Sequence, residues 1–262
     1  MSNYRTSIIS LINPAYYWRT IRDIAEFVKR PTDSPTGELS TKQRIIQFFV
    51  IFVIKLVIVF IVSITISIIV ARVQKNISGE VTSSEAIGFI KSLGLSNLLL
   101  IVGLLAPLLE EAAFRLFLRY KSINLSVSVF VLIYYFMNKV IYHTNNFDLG
   151  NNFLLRIAIA LFAGIICFIV ANRQSQALQH FWQHNFRWIF YFSCVLFALV
   201  HISSYGTTLA NLLLLPVITL PQLLTGICYG YGRIKLGFVY GVGLHALSNT
   251  CMVLLGVLAK YV

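Results

Sequence analysis

Leu108-Leu109-Glu110-Glu111-Ala112-Ala113-Phe114-Arg115 sets two adjacent carboxylates and a guanidinium inside a run that is otherwise apolar from Leu98 to Leu118. A run of that length and composition is a candidate membrane span. An ionised side chain at mid-membrane costs about 3 kcal/mol or more, so such a group is paired, faces a polar cavity or serves a function. The chain has nine acidic residues, and Glu110 and Glu111 are the only two inside any predicted span. The question is what they meet.

Working outward, the 262 residues are 58% hydrophobic and 11% charged, with a mean hydropathy of +0.79. That excludes an ordinary soluble domain and predicts an all-α, polytopic membrane helix bundle. About seven transmembrane helices are expected, near 46–71, 97–119, 124–142, 153–171, 188–204, 209–231 and 236–258. Residues 1–45 form a basic segment with no apolar run of signal-peptide length. Within it, 4–30 carries apolar residues at helical spacing among Arg5, Arg19, Arg22, Lys29 and Arg30. This suits an amphipathic helix in the headgroup region or a helix packed on the bundle. Pro31 to Thr41 reads as a linker. The bundle then occupies 46–262.

The net charge of +12 does not mark a nucleic-acid binder: seven of the 21 Lys/Arg precede residue 46 and most others flank apolar spans. That pattern is positive-inside topology, with the lipid bilayer as the partner and no nucleic acid; it puts the N-terminus in the cytoplasm. Lys139 and Arg156, near outer span ends, are expected to snorkel, and Lys55 has no evident partner. Cys167, Cys194, Cys228 and Cys251 lie in apolar spans without metal spacing and read as buried hydrophobes.

Three spans carry the chemistry. In the second, Pro107 removes a ladder hydrogen bond and is expected to free the Gly103 carbonyl. Glu110 and Glu111 are about 100° apart around the axis. Glu111 can pair with Arg115 one turn on, leaving Glu110 to face something else. The fifth span ends in Phe197-x-x-x-His201. The seventh presents Gly237, Gly241, His245 and Asn249 at a four-residue interval, one stripe whose glycines admit a neighbouring backbone. By helical rise, Glu110, His201, His245 and Asn249 all lie about 14–20 Å from the inner ends of their spans. A carboxylate, two imidazoles and an amide at one depth make a candidate site.

In order along the chain, Glu110-Glu111-x-x-x-Arg115, Phe197-x-x-x-His201 and His245-x-x-x-Asn249 resemble the three motifs of the CPBP family of intramembrane proteases. That family includes the type II CAAX prenyl endopeptidases and the bacterial Abi, bacteriocin-processing and self-immunity proteins. The resemblance covers about half the chain, with a catalytic core in 97–121 and 188–258; an additional hairpin in 122–187 departs from the family pattern. It implies an endopeptidase cutting a peptide or membrane-protein substrate. Glu110 and His201 would activate water, His245 and Asn249 would donate to the oxyanion, and Glu111 and Arg115 would support them. It implies no cofactor, or alternatively a zinc ion on Glu110, His201 and His245. Two other classes stay open: a non-catalytic membrane partner or immunity protein, and a transporter using the same polar cluster. A bacterial plasma membrane is the expected setting.

Overall fold

The structure is a computed structural model, and it describes residues 13–33, 39–76, 94–150, 152–204 and 213–258. All regular structure among them is helical. The first part of the N-terminal segment, the middle of the linker and the start of the 209–231 span lie outside the described residues.

Helix α1 (Pro14–Lys29) starts at Asn13, whose side chain accepts from the Ala15 N–H at 2.9 Å, with Pro14 at the first helical position. The helix packs on the bundle. Tyr16, Tyr17 and Ile24 pack against Ile46, Val50 and Ile54, and the Phe27 ring meets Phe190 and Tyr231 edge-on. Trp18 and Ile21 stay exposed on the other side.

Helix α2 (Thr41–Asn76) begins with a capping box. The Ser40 N–H donates to Gln43 Oε1 at 2.9 Å and the Gln43 N–H to Ser40 Oγ at 3.3 Å. Ile46, Gln47, Val50, Ile51, Ile54 and Lys55 form its one buried stripe. From Val59 to Arg72 no residue is buried, and most of the side chains are apolar.

The second span is not one regular helix. Helix α3 (Leu95–Leu100) passes through a π-helical turn, Ile101–Leu105, into α4 (Ala106–Phe114) and a 3₁₀ turn, Leu116–Leu118. Helix α5 (Ser122–Phe136) ends in a second π turn, Met137–Ile141, and packs along α6 (Phe153–Arg173), where Gly164 lies against Phe130. One residue, Gln174, separates α6 from α7 (Ser175–Val200), which runs into a 3₁₀ turn at His201–Ser204. A short α8 (Leu215–Ile218), α9 (Leu220–Lys235) and α10 (Phe238–Leu258) complete the fold.

Among the described residues five helical segments are long and apolar enough to cross a membrane: Thr41–Arg72, Leu95–Leu118, Ser122–Ile141, Phe153–Arg173 and Phe238–Val257. They correspond to five of the seven expected spans. The 188–204 stretch is instead the second half of a 26-residue helix with a polar first half. The described part of 209–231 is divided between α8 and α9, and α9 has only 16 residues. The outer surface is hydrocarbon: Phe60, Leu154 and Val239 are 66%, 78% and 79% exposed. An apolar surface on this scale calls for lipid.

Arg156 corrects the snorkelling expectation. It is fully buried, donating to Asn138 Oδ1 at 2.6 Å and to the carbonyls of Asp148 and Gly150 at 2.7 and 2.8 Å. Its guanidinium ties the 142–150 loop to the end of α5; only a forked donor satisfies several acceptors in this way.

Candidate functional site

The site lies where α4, α9 and α10 meet the end of α7. The unusual backbone of the second span explains part of it. In the π turn the Ala106 N–H bonds to the Ile101 carbonyl, one residue further back than in an α-helix. In that register the next carbonyl, that of Val102, would pair with the nitrogen of Pro107, which has no hydrogen. The Val102 carbonyl is thereby left without a backbone donor. Asn249 Nδ2 on α10 donates to it at 3.0 Å. A carbonyl only accepts, which fixes the amide's orientation.

One turn before Asn249, His245 reaches both glutamates. Its Nδ1 lies 2.9 Å from Glu111 Oε1 and its Nε2 3.6 Å from Glu110 Oε2. Arg115 Nη1 donates to the same Glu111 Oε1 at 2.8 Å. With Glu111 ionised and accepting, the imidazole proton sits on Nδ1, and Nε2 faces Glu110. The two carboxylates differ sharply in setting. Glu111 is fully buried between two donors, while the Glu110 side chain is 20% exposed. At 3.6 Å the Glu110–His245 approach is an electrostatic contact, too long for a hydrogen bond. Glu110 Oε2, Glu111 Oε2 and Arg115 Nη2 are buried without a hydrogen-bond partner.

Aromatic rings hold this cluster. Tyr229 on α9 stacks on the His245 ring at 4.6 Å and 27°. The Arg115 guanidinium lies 3.7 Å from the centre of the Phe197 ring, within cation–π range. Phe197 also meets His245 edge-on at 5.8 Å and His201 at 4.7 Å. Lys55, partnerless in the sequence reading, is buried with its ammonium 5.6 Å from the Tyr229 ring. Gly226 gives Arg115 and Phe197 their room: a Cβ there would lie 3.3 Å from an atom of each.

The structure thus gathers Glu110, Glu111, Arg115 and His245 into one network, with Asn249 beside it on the Val102 carbonyl. His201 belongs to the same region without joining the network. Its Nδ1 is 2.8 Å from the Phe197 carbonyl, and Phe197 stands between it and His245. Among the described residues no three His, Cys, Asp or Glu side chains gather as a metal-ligand set. Gly241 faces Glu111, as the stripe predicts: a Cβ on it would lie 3.6 Å from Glu111 Oε2. Gly237 does not pack. It has φ +112° and open space around it, and it turns the chain from α9 into α10.

Residues that the sequence reading passed over lock the base of the site. Arg233 on α9 donates to the carbonyls of Arg115 and Leu116 at 3.2 and 3.3 Å, and Arg119 returns a bond to the Ile234 carbonyl at 2.6 Å. Ser193 donates to the Phe114 carbonyl. Arg233 and Ser193 thus bond backbone acceptors where α4 ends and the 3₁₀ turn begins, and Arg119 bonds one at the end of α9. Tyr229 and Gly226 sit in the run Gly226-x-x-Tyr229-Gly230-Tyr231-Gly232, whose alternation of small and aromatic residues was the available signal.

No protein-family model, no curated protein and no solved structure matches this chain.

Proposed function

We propose that this protein is an intramembrane endopeptidase of the CPBP type, hydrolysing a peptide bond in a peptide or membrane-protein substrate with a water activated by glutamate and histidine. The observation that carries the reading is the convergence of Glu110 and Glu111 on opposite nitrogens of His245, inside a bundle with an apolar outer surface. Glu110, the more open carboxylate, is the general base that takes the proton from water. Glu111 holds the Nδ1 proton and fixes the ring, and Arg115 balances the charge of Glu111. Nε2 of His245 then faces the reacting water and the developing oxyanion. Asn249 keeps one amide hydrogen on Val102 and has a second to offer. His201 enters the chemistry by turning from the Phe197 carbonyl.

On this reading the bundle crosses the membrane about seven times. Helix α7 and the segment through α8 and α9 supply the remaining two crossings. Phe186, Phe190, Ser193, Cys194 and Phe197 give α7 a buried stripe, while Trp188, Phe192, Val195 and Leu199 face outward. The basic N-terminal segment lies in the cytoplasm, and the membrane is a bacterial plasma membrane.

A second reading, a non-catalytic membrane partner, draws on the Glu111–Arg115–His245 network and on His201 being held by its own helix. Glu110→Gln separates the two. It abolishes the cellular phenotype of an enzyme and leaves that of a folded scaffold intact. A chelator arm tests whether a metal takes part.

A further inference from the structure

Between α5 and α7 the bundle is open. Helix α5 packs along α6 rather than on α7, leaving a groove of about 420 Å³. Phe117 lies at one end, Val129 and Leu132 form the α5 wall, and Trp182, Ile189 and Phe192 form the α7 wall. The polar groups along it are already engaged. Ser128 donates to the Ala112 carbonyl at 2.7 Å, Trp182 Nε1 to the Phe117 carbonyl at 2.9 Å, and Asn185 Nδ2 to the Phe181 carbonyl at 2.9 Å. What remains for an occupant is hydrocarbon.

Length and charge identify the occupant. The α7 wall runs from Phe181 to Phe192, a rise of about 16 Å. One leaflet of a bilayer core about 30 Å thick has that depth. The Phe117 end is positively charged. Tyr120 donates to the Ala171 carbonyl at 3.1 Å and its ring lies 5.3 Å from Trp182, so the start of α5, the end of α6 and the first turns of α7 meet there. Exposed Lys121 stands at the start of α5 and exposed Arg173 at the end of α6. A leaflet-deep apolar groove with a cationic mouth matches a lipid carrying negative charge at its headgroup.

We propose that the α5–α7 groove is a resident site for an anionic phospholipid. One acyl chain lies along Val129, Leu132, Ile189 and Phe192, and the phosphate is held at the end bearing Lys121 and Arg173. The site stands apart from the Glu110–His245 network and does not depend on the proposed peptidase activity.

The test is native mass spectrometry of the delipidated full-length protein in detergent, titrated separately with dioleoylphosphatidylglycerol and dioleoylphosphatidylcholine. Wild type is expected to retain one phosphatidylglycerol at least tenfold more tightly than phosphatidylcholine. Val129→Trp, which fills the groove, loses the retained lipid; Leu132→Trp serves the same purpose if the first variant does not fold. A Lys121→Gln/Arg173→Gln variant keeps a lipid but loses the preference for phosphatidylglycerol. Equal retention of the two lipids by wild type overturns the proposal. So does undiminished phosphatidylglycerol retention in a folded groove-filled variant, or a wild-type dimer that Val129→Trp dissociates, which would make a second copy the occupant.

Discussion

The Val102 carbonyl accounts for Asn249. A π turn followed by proline leaves that oxygen without a backbone donor, and the Asn249 amide supplies one across the helix interface. Asn249→Leu therefore strands a buried acceptor and should cost about 1–3 kcal/mol, read as a lowered thermal midpoint in detergent. Combined with Pro107→Ala, which restores an N–H in register, the same substitution should cost less than it does alone. Additive effects would contradict the assignment. The two glutamates should separate just as clearly. Glu111→Gln disturbs a buried ion pair shared by Arg115 and His245, and a loss of about 3–5 kcal/mol is expected in unfolding measurements. Glu110→Gln should leave the unfolding midpoint nearly unchanged. Gly226→Ala pushes a methyl to 3.3 Å from Arg115 and Phe197, and a loss of about 1–3 kcal/mol should appear in the same assay.

The helices differ in how far their sequences foretold them. The α10 stripe was legible because residues four apart share a face whatever the tertiary structure, so Gly241, His245 and Asn249 fall toward the site as read. Glu111 and Arg115 pair for the same local reason. Gly237 has the same spacing and a different role, since one residue of positive φ ends the periodicity on which the stripe rests. Arg156 and Arg233 were not legible. Their partners are backbone carbonyls of loops and helix ends, whose positions no side-chain pattern encodes. Lys55 gave no sign of its partner because Tyr229 lies on another helix, far along the chain. Five of the seven expected spans stand out among the described residues; at α7 the apolar window belongs to a longer helix with a polar beginning. Arg156→Met should free the 142–150 loop, raising its amide hydrogen exchange or protease sensitivity, and leave exchange around His245 unaltered.

At the scale of the whole molecule, apolar side chains cover the outside and ionic groups cluster within, the arrangement expected where lipid is the solvent. Trp188 and Trp18, both outward-facing, should be quenched by bromine-labelled acyl chains in reconstituted vesicles. The claim that joins residues, helices and membrane is that Glu110 and His245 hydrolyse a peptide bond together. Its most direct test is cleavage of a peptide library by the purified, reconstituted protein beside Glu110→Gln, with unfolding midpoints measured for both. The account predicts cleavage by wild type, reduced about 10²- to 10⁴-fold in a variant with an unchanged midpoint. Cleavage undiminished in Glu110→Gln would contradict it.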